Sequence, residues 1–178
     1  MSDGGRSPAR LDWSQLDTET FEDIVRYLHR KVWDGERAHE LAQEVFVRAL
    51  AHGDRVVPER PRAWLFTIAA NIARDESKMV LRRKKHLSLL RGGSAQSVEE
   101  DPIEQIERRA QEAAAHRALD ALSDRDREVL LLWDAGLTYE EIAQHAGLAV
   151  GAIGTTLARA RRKLVDAHNA MEGRNAAH

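Results

Sequence analysis

The chain has 178 residues, with 27 Lys+Arg against 29 Asp+Glu, no cysteine and a formal net charge of −2. Without cysteine there is no disulfide scaffold, no thiol nucleophile and no Cys-ligated zinc or iron–sulfur site. Hydrophobic residues at 43% and charged residues at 31% exclude wholesale disorder, and no apolar run reaches the roughly 18 residues of a spanning helix.

Residues 1–17 read as a disordered tail, and MSDGGRSPAR lacks the apolar core of a secretory signal. A cytoplasmic protein without membrane insertion is therefore expected. The first helix is predicted from about Thr18 to Trp33, because Phe21, Ile24, Val25, Leu28 and Val32 recur at three- and four-residue steps. Asp34-Gly35 breaks it. A second helix from about Glu36 to Ala51 carries Ala38, Leu41, Ala42, Val45, Phe46, Ala49 and Leu50, and Gly53 ends it. Pro61 suits the first turn of a third helix, through Trp64, Leu65, Ile68, Ala69 and Ile72. Trp64 falls at core spacing. RGGSAQSVEED (91–101) reads as linker, and the acidic stretch to Glu107 is grouped with it; helix resumes at about Ile103 and runs to Leu122. Ser123 with Asp126 approximates a capping box before Val129, Leu130, Leu132 and Trp133. Thr138 with Glu141 is a full one, opening a short helix that Gly147 closes. A last helix spans about Val150 to Ala167, followed by a disordered tail over 169–178. The fold class is all-α: two small helical domains (18–90 and 108–168) joined by an acidic linker (91–107).

The near-neutral total conceals unlike parts. Lys78, Arg82, Arg83, Lys84, Lys85 and Arg91 form a basic run without an acid. Glu99, Glu100, Asp101, Glu104 and Glu107 follow without a base. Arg159, Arg161, Arg162 and Lys163 close a second basic run.

Tyr139–Leu157 has the spacing of a helix-turn-helix. Ala143 is small where two steeply crossed helices approach, and Gly147 permits the turn. Ile142, Leu148, Ile153 and Leu157 close the core beneath. A tight αα-hairpin shares this spacing. The basic tail favours phosphate contact, although a solvated last turn favoured by the helix dipole is the plainer reading.

The stretch ALSDRDREVLLLWDAGLTYEEIAQHAGLAVGAIGTTLARARRKL (Ala121–Leu164) resembles region 4 of bacterial sigma factors, most closely the extracytoplasmic-function (ECF) group of the sigma-70 family. AHELAQEVFVRAL (Ala38–Leu50) resembles that group's polymerase-docking helix in region 2. WLFTIAANIARDESKMVLRRKK (Trp64–Lys85) resembles the adjoining segment that binds and melts the promoter −10 element.

The resemblance implies an alternative sigma factor that directs promoter-specific initiation. Glu40, Gln43, Glu44 and Arg48 are then expected to face the β′ clamp helices of core RNA polymerase, with Glu40 in place of the usual aspartate and Leu50 in place of the usual tryptophan. Asn71 and Asp75 are expected near an unpaired −10 base, with Lys78, Arg82, Arg83, Lys84 and Lys85 along the backbone. In region 4, which the family also docks on the β flap, Thr155, Thr156, Arg159, Arg162 and Lys163 are expected at the −35 duplex. Gly154-Thr155-Thr156 replaces a triplet that is often basic, so weak or unusual −35 reading is expected. In the family the linker threads toward the active-site cleft; five acids there mimic nucleic acid or merely solubilise. An anti-sigma factor is an implied partner.

No cofactor, metal site or intrinsic catalysis is expected. HELAQE at His39 lacks the second histidine of a helical zinc pair, Gln43 standing in its place, and Ser123-Asp124 is a cap rather than a nucleophile pair. A free-standing helix-turn-helix regulator and a helical adaptor for an acidic protein are the rival readings.

Overall fold

The computed structural model describes residues 13–53, 60–87 and 102–175, with side chains over 20–52, 60–82 and 109–170. It contains seven helices and no strand among the described residues: α1 (Trp13–Val32), α2 (Gly35–Gly53), α3 (Pro61–Leu87), α4 (Pro102–Asp120), α5 (Asp124–Asp134), α6 (Tyr139–Ala146) and α7 (Val150–Asn175). The chain divides into two compact units, Met1–Leu81 and Arg82–His178. No helix among the described residues is long and apolar enough to cross a membrane.

In the first unit α1 and α2 form an antiparallel pair. Trp33 ends α1 in the left-handed region (φ 56°), an uncommon conformation for a non-glycine residue. Its N–H bonds back to His29 at 2.7 Å. Asp34 then caps α2, accepting from the Arg37 N–H at 2.9 Å. The core holds most of the expected periodic set, Ile24 and Leu28 from α1, Leu41, Val45 and Ala49 from α2, and Leu65, Ala69 and Ile72 from α3, together with Phe66, which the sequence reading did not place there, while Phe21, Val25, Val32, Trp64 and Ile68 are only half-buried. Each fully buried large side chain contributes about 1.5–3 kcal/mol. Tyr27 meets Phe66 edge to face at 5.5 Å between ring centres, and Arg62 donates to Asp23 at 2.6 Å. These contacts fix α3 on the pair.

In the second unit α4, α5 and α6 pack around the first half of α7. Val129, Leu132, Leu137, Ile142, Ile153, Leu157 and Ala160 are buried. Arg127 ties α5 to the end of α4, donating to the Leu119 carbonyl at 3.0 Å and to Asp120 at 2.9 Å.

Several boundaries differ from expectation. α1 begins at Trp13 and α7 continues to Asn175; neither added stretch contains a proline, so nothing in the backbone chemistry stops the helix there. Pro102 opens α4, so residues 102–107, grouped with the acidic linker, are helical. The linker's acids before Pro102 lie outside the described residues, as do the first twelve residues.

Candidate functional site

Two buried carboxylates organise the surfaces that the sequence singles out. In the first unit, Glu76 of α3 is 8% exposed. Arg37 of α2 grips both of its oxygens, from Nε at 3.1 Å and Nη2 at 2.8 Å. The same guanidinium reaches Glu40 from Nη1 at 2.8 Å. One arginine thus joins the expected polymerase-docking face to the expected −10 helix.

That docking face is an outward line on α2. Glu40, Gln43 and Arg48 are exposed and Glu44 is half-buried; Glu44 pairs with Arg48 along the helix. Between them stand Val47 at 65% and Leu50 at 53% exposure. Leu50 is not the core residue its place in the apolar list implied, and sequence reasoning missed Val47 altogether. Positions 43, 47 and 50 fall on one helical face, which is the sequence signal that places Val47 and Leu50 beside Gln43.

On α3 the outward line runs Thr67, Asn71, Arg74, Lys78 and Leu81, flanked by Asp75 and Arg82, all exposed. Asn71 accepts from Arg74 at 3.0 Å, and Lys78 lies 3.9 Å from Asp75. Arg74 was not anticipated, although it stands one turn from Asn71. Ala70 is buried and Trp64 half-buried. The side chains of Arg83, Lys84 and Lys85 lie outside those described.

In the second unit the helix-turn-helix forms as its local chemistry dictates. Thr138 accepts from the Glu141 N–H while Glu141 accepts from the Thr138 N–H, the reciprocal capping box. Gly147 turns the chain at φ 64°, where any side chain would be strained. Leu148 bonds back to the Ala143 carbonyl at 3.0 Å, and Ile142 and Ala143 are buried beneath. His145 and Glu128, 3.1 Å apart, link α6 to α5.

The second buried carboxylate is Asp126, at 1% exposure. Ser123 caps α5 through the Asp126 N–H at 3.2 Å, but the Asp126 side chain does not complete a box. It turns to α7. Arg159 donates to it from Nε at 3.2 Å and from Nη2 at 2.5 Å, and Lys163 donates at 3.1 Å. The Arg159 hydrogen bonds, with help from Lys163 and Ser123, overcome the opposing effect of burial and hold the carboxyl down at about 2.

The four cations of the basic run 159–163 on α7 are therefore unequal. Arg159 and Lys163 share Asp126. Arg161 lies over the Trp133 ring, 3.9 Å from its centre. Arg162 makes no ion pair or ring contact among the described residues. Thr155 is exposed and bonds its own helix at the Ala152 carbonyl, 2.9 Å away. Thr156 is 5% exposed and so turned into the core, which removes it from the expected duplex-contacting set. Its position, between Ile153 and Ala160 on the inward face, explains why. A Cβ at Gly154 would meet only Tyr139 Cε2, at 3.8 Å.

Two known family models match the chain, the first lying mostly in the first unit and the second within the second unit. Residues 19–86 match sigma-70 region 2, and residues 112–164 match sigma-70 region 4. The ECF RNA polymerase sigma factor EcfG of Rhodopseudomonas palustris is 36% identical over 133 residues, spanning 74% of this chain and 71% of that protein. The RNA polymerase sigma factor YlaC of Bacillus subtilis is 29% identical over 150 residues, 81% and 84% of the two chains. Among solved structures, CnrH in complex with the cytosolic domain of CnrY aligns at a TM-score of 0.65 and 26% identity, covering 89% of this chain and 88% of that one. The sequence resemblance is borne out, and the chain belongs to the ECF sigma factors of the sigma-70 family.

Proposed function

We propose that this sigma factor assembles with core RNA polymerase in the cytoplasm through the outward face of α2. Glu40, Gln43, Glu44 and Arg48 supply its polar contacts, and Val47 and Leu50 its apolar centre. The polar rim around exposed apolar side chains supports this, since such a patch on a small unit marks a protein interface. The outward line of α3, with Asn71, Asp75, Lys78 and Arg82, then receives unpaired −10 bases. Arg83, Lys84 and Lys85 extend its charge along the strand. The helix-turn-helix sits on the −35 duplex through Thr155, Arg159, Arg162 and Lys163, and region 4 also meets the β flap. The polymerase performs the chemistry. CnrH, a structural relative, is seen with the cytosolic domain of CnrY, and the Bartonella quintana RpoE, similar in fold, with the anti-sigma factor NepR. By extension, an anti-sigma partner covers the polymerase-binding faces of this chain.

The observation that carries this reading is the order of the two matched regions, region 2 mostly in the first unit and region 4 in the second, with Glu40, Gln43, Asn71 and Thr155 exposed. The test adds the purified protein to sigma-free core polymerase with a promoter panel. Promoter-specific transcripts are expected. Duplex binding without transcripts would favour a free-standing helix-turn-helix regulator.

A further inference from the structure

The Asp126 cluster goes beyond capping. A carboxylate at 1% exposure is held ionised between two cations that stand one turn apart on α7. A buried charge stripped of its partners is strongly destabilising, so the cluster stays closed when a ligand arrives. Its cations are nonetheless half outside: the Arg159 side chain is 46% exposed and that of Lys163 44%. Arg159 gives Asp126 its Nε–H and an Nη2–H. The remaining guanidinium hydrogens, both on Nη1 and one on Nη2, are left for a ligand. The guanidinium is thereby clamped in one plane before any DNA is met.

We infer that Asp126 is a positioning residue for upstream-duplex recognition, fixing Arg159 and Lys163 as one preformed arm of net charge +1. The inference rests on the proposed seating of the helix-turn-helix on the −35 duplex. It has two consequences. The clamp makes Arg159 directional, so it discriminates between base pairs instead of collapsing onto the nearest phosphate. The acid also cancels one cation, so the arm adds one charge, not two, to the salt dependence of binding.

The test uses the full chain assembled with core polymerase, on a promoter library randomised over the −35 element above a fixed −10 element. Asp126→Asn keeps the shape but releases a charge. Binding across the library is expected to strengthen at low salt, and the log–log salt slope to steepen by about 0.9. Discrimination between the best and the average −35 sequence is expected to fall by about tenfold. Arg159→Lys keeps the charge but loses the fork. It is expected to lose discrimination to a similar extent with the salt slope unchanged. A purely structural role for Asp126 would lower binding to all sequences in the same proportion without steepening the slope, and that result overturns the inference. So does undiminished discrimination in Arg159→Lys, whose half-exposed side chain makes a folding defect unimportant. If the wild-type holoenzyme shows no −35 preference at all, the proposed seating on the duplex fails, and the inference with it.

Discussion

The two units solve the same electrostatic problem differently. Each carries a buried carboxylate whose partner comes from another helix. In the first unit a single arginine, Arg37, serves Glu76 and leaves the outward cations of α3 exposed. In the second, Asp126 takes two of the four cations in the 159–163 run of α7, and Trp133 takes a third. A count of basic residues therefore overstates what the second unit offers to DNA. The first unit also shows bare apolar side chains, Val47 and Leu50, on its outward α2 face, the face proposed for the polymerase. Together these features describe a factor whose grip on promoters depends on the polymerase.

The largest effect that separates the units is expected at α2. The pair Val47→Asp and Leu50→Asp should weaken core-polymerase binding by about a hundredfold, because both side chains lose their apolar burial in the complex. Thermal stability should not fall, as both are exposed in the free chain. A titration with labelled core polymerase reads this directly. Equal weakening by Thr155→Asp on α7 would erase the proposed contrast.

The next test compares the two buried acids. Arg37→Ala leaves Glu76 without the one cation that meets it among the described residues and should cost the first unit about 2 kcal/mol in denaturant unfolding. Arg159→Ala leaves Lys163 on Asp126 and should destabilise the second unit less. If the order reverses, Lys163 does not hold the acid.

Acid sharpens the same point. The Asp126 carboxyl falls from an ordinary 3.8 to about 2 on folding, so its contribution is present above pH 3.8 and is lost as pH drops through about 2. That contribution is about 2 kcal/mol. Unfolding of the second unit followed from pH 5 to pH 2 should show this loss, and Asp126→Asn should flatten it.

The smallest effect is at Gly154. The space beside it is open apart from Tyr139 at 3.8 Å, so Gly154→Ala should stabilise α7 by about 0.5–1 kcal/mol. A loss instead would mean that the tyrosine cannot accept the added methyl.

Local chemistry was legible in the sequence, and long-range pairing was not. The box at Thr138 and Glu141 and the left-handed Gly147 follow from residues within one turn of each other. The helical periods likewise placed Ile24, Val45, Ile72 and Ile153 inside. Asp126 and Arg159 are separated by 33 positions, and no period or cap links them. In the sequence Asp126 stands out only by its three-residue spacing from Ser123. Thr156 is a different kind of miss. Its spacing from Ile153 and Ala160 places it inward, whereas the resemblance to the family triplet groups it with Thr155 on the DNA side. Leu50 failed in the opposite direction, as an apolar residue assumed to be core on a face that turns outward.

The near-neutral total charge is thus an average of faces with different tasks, and the central claim is that this chain holds promoters only as part of the polymerase. The direct measurement compares one promoter's affinity for the free chain and for the chain bound to core polymerase, at physiological salt. Weak, sequence-indifferent binding by the free chain and tight, promoter-specific binding by the holoenzyme are predicted. Tight and specific binding by the free chain would contradict the account.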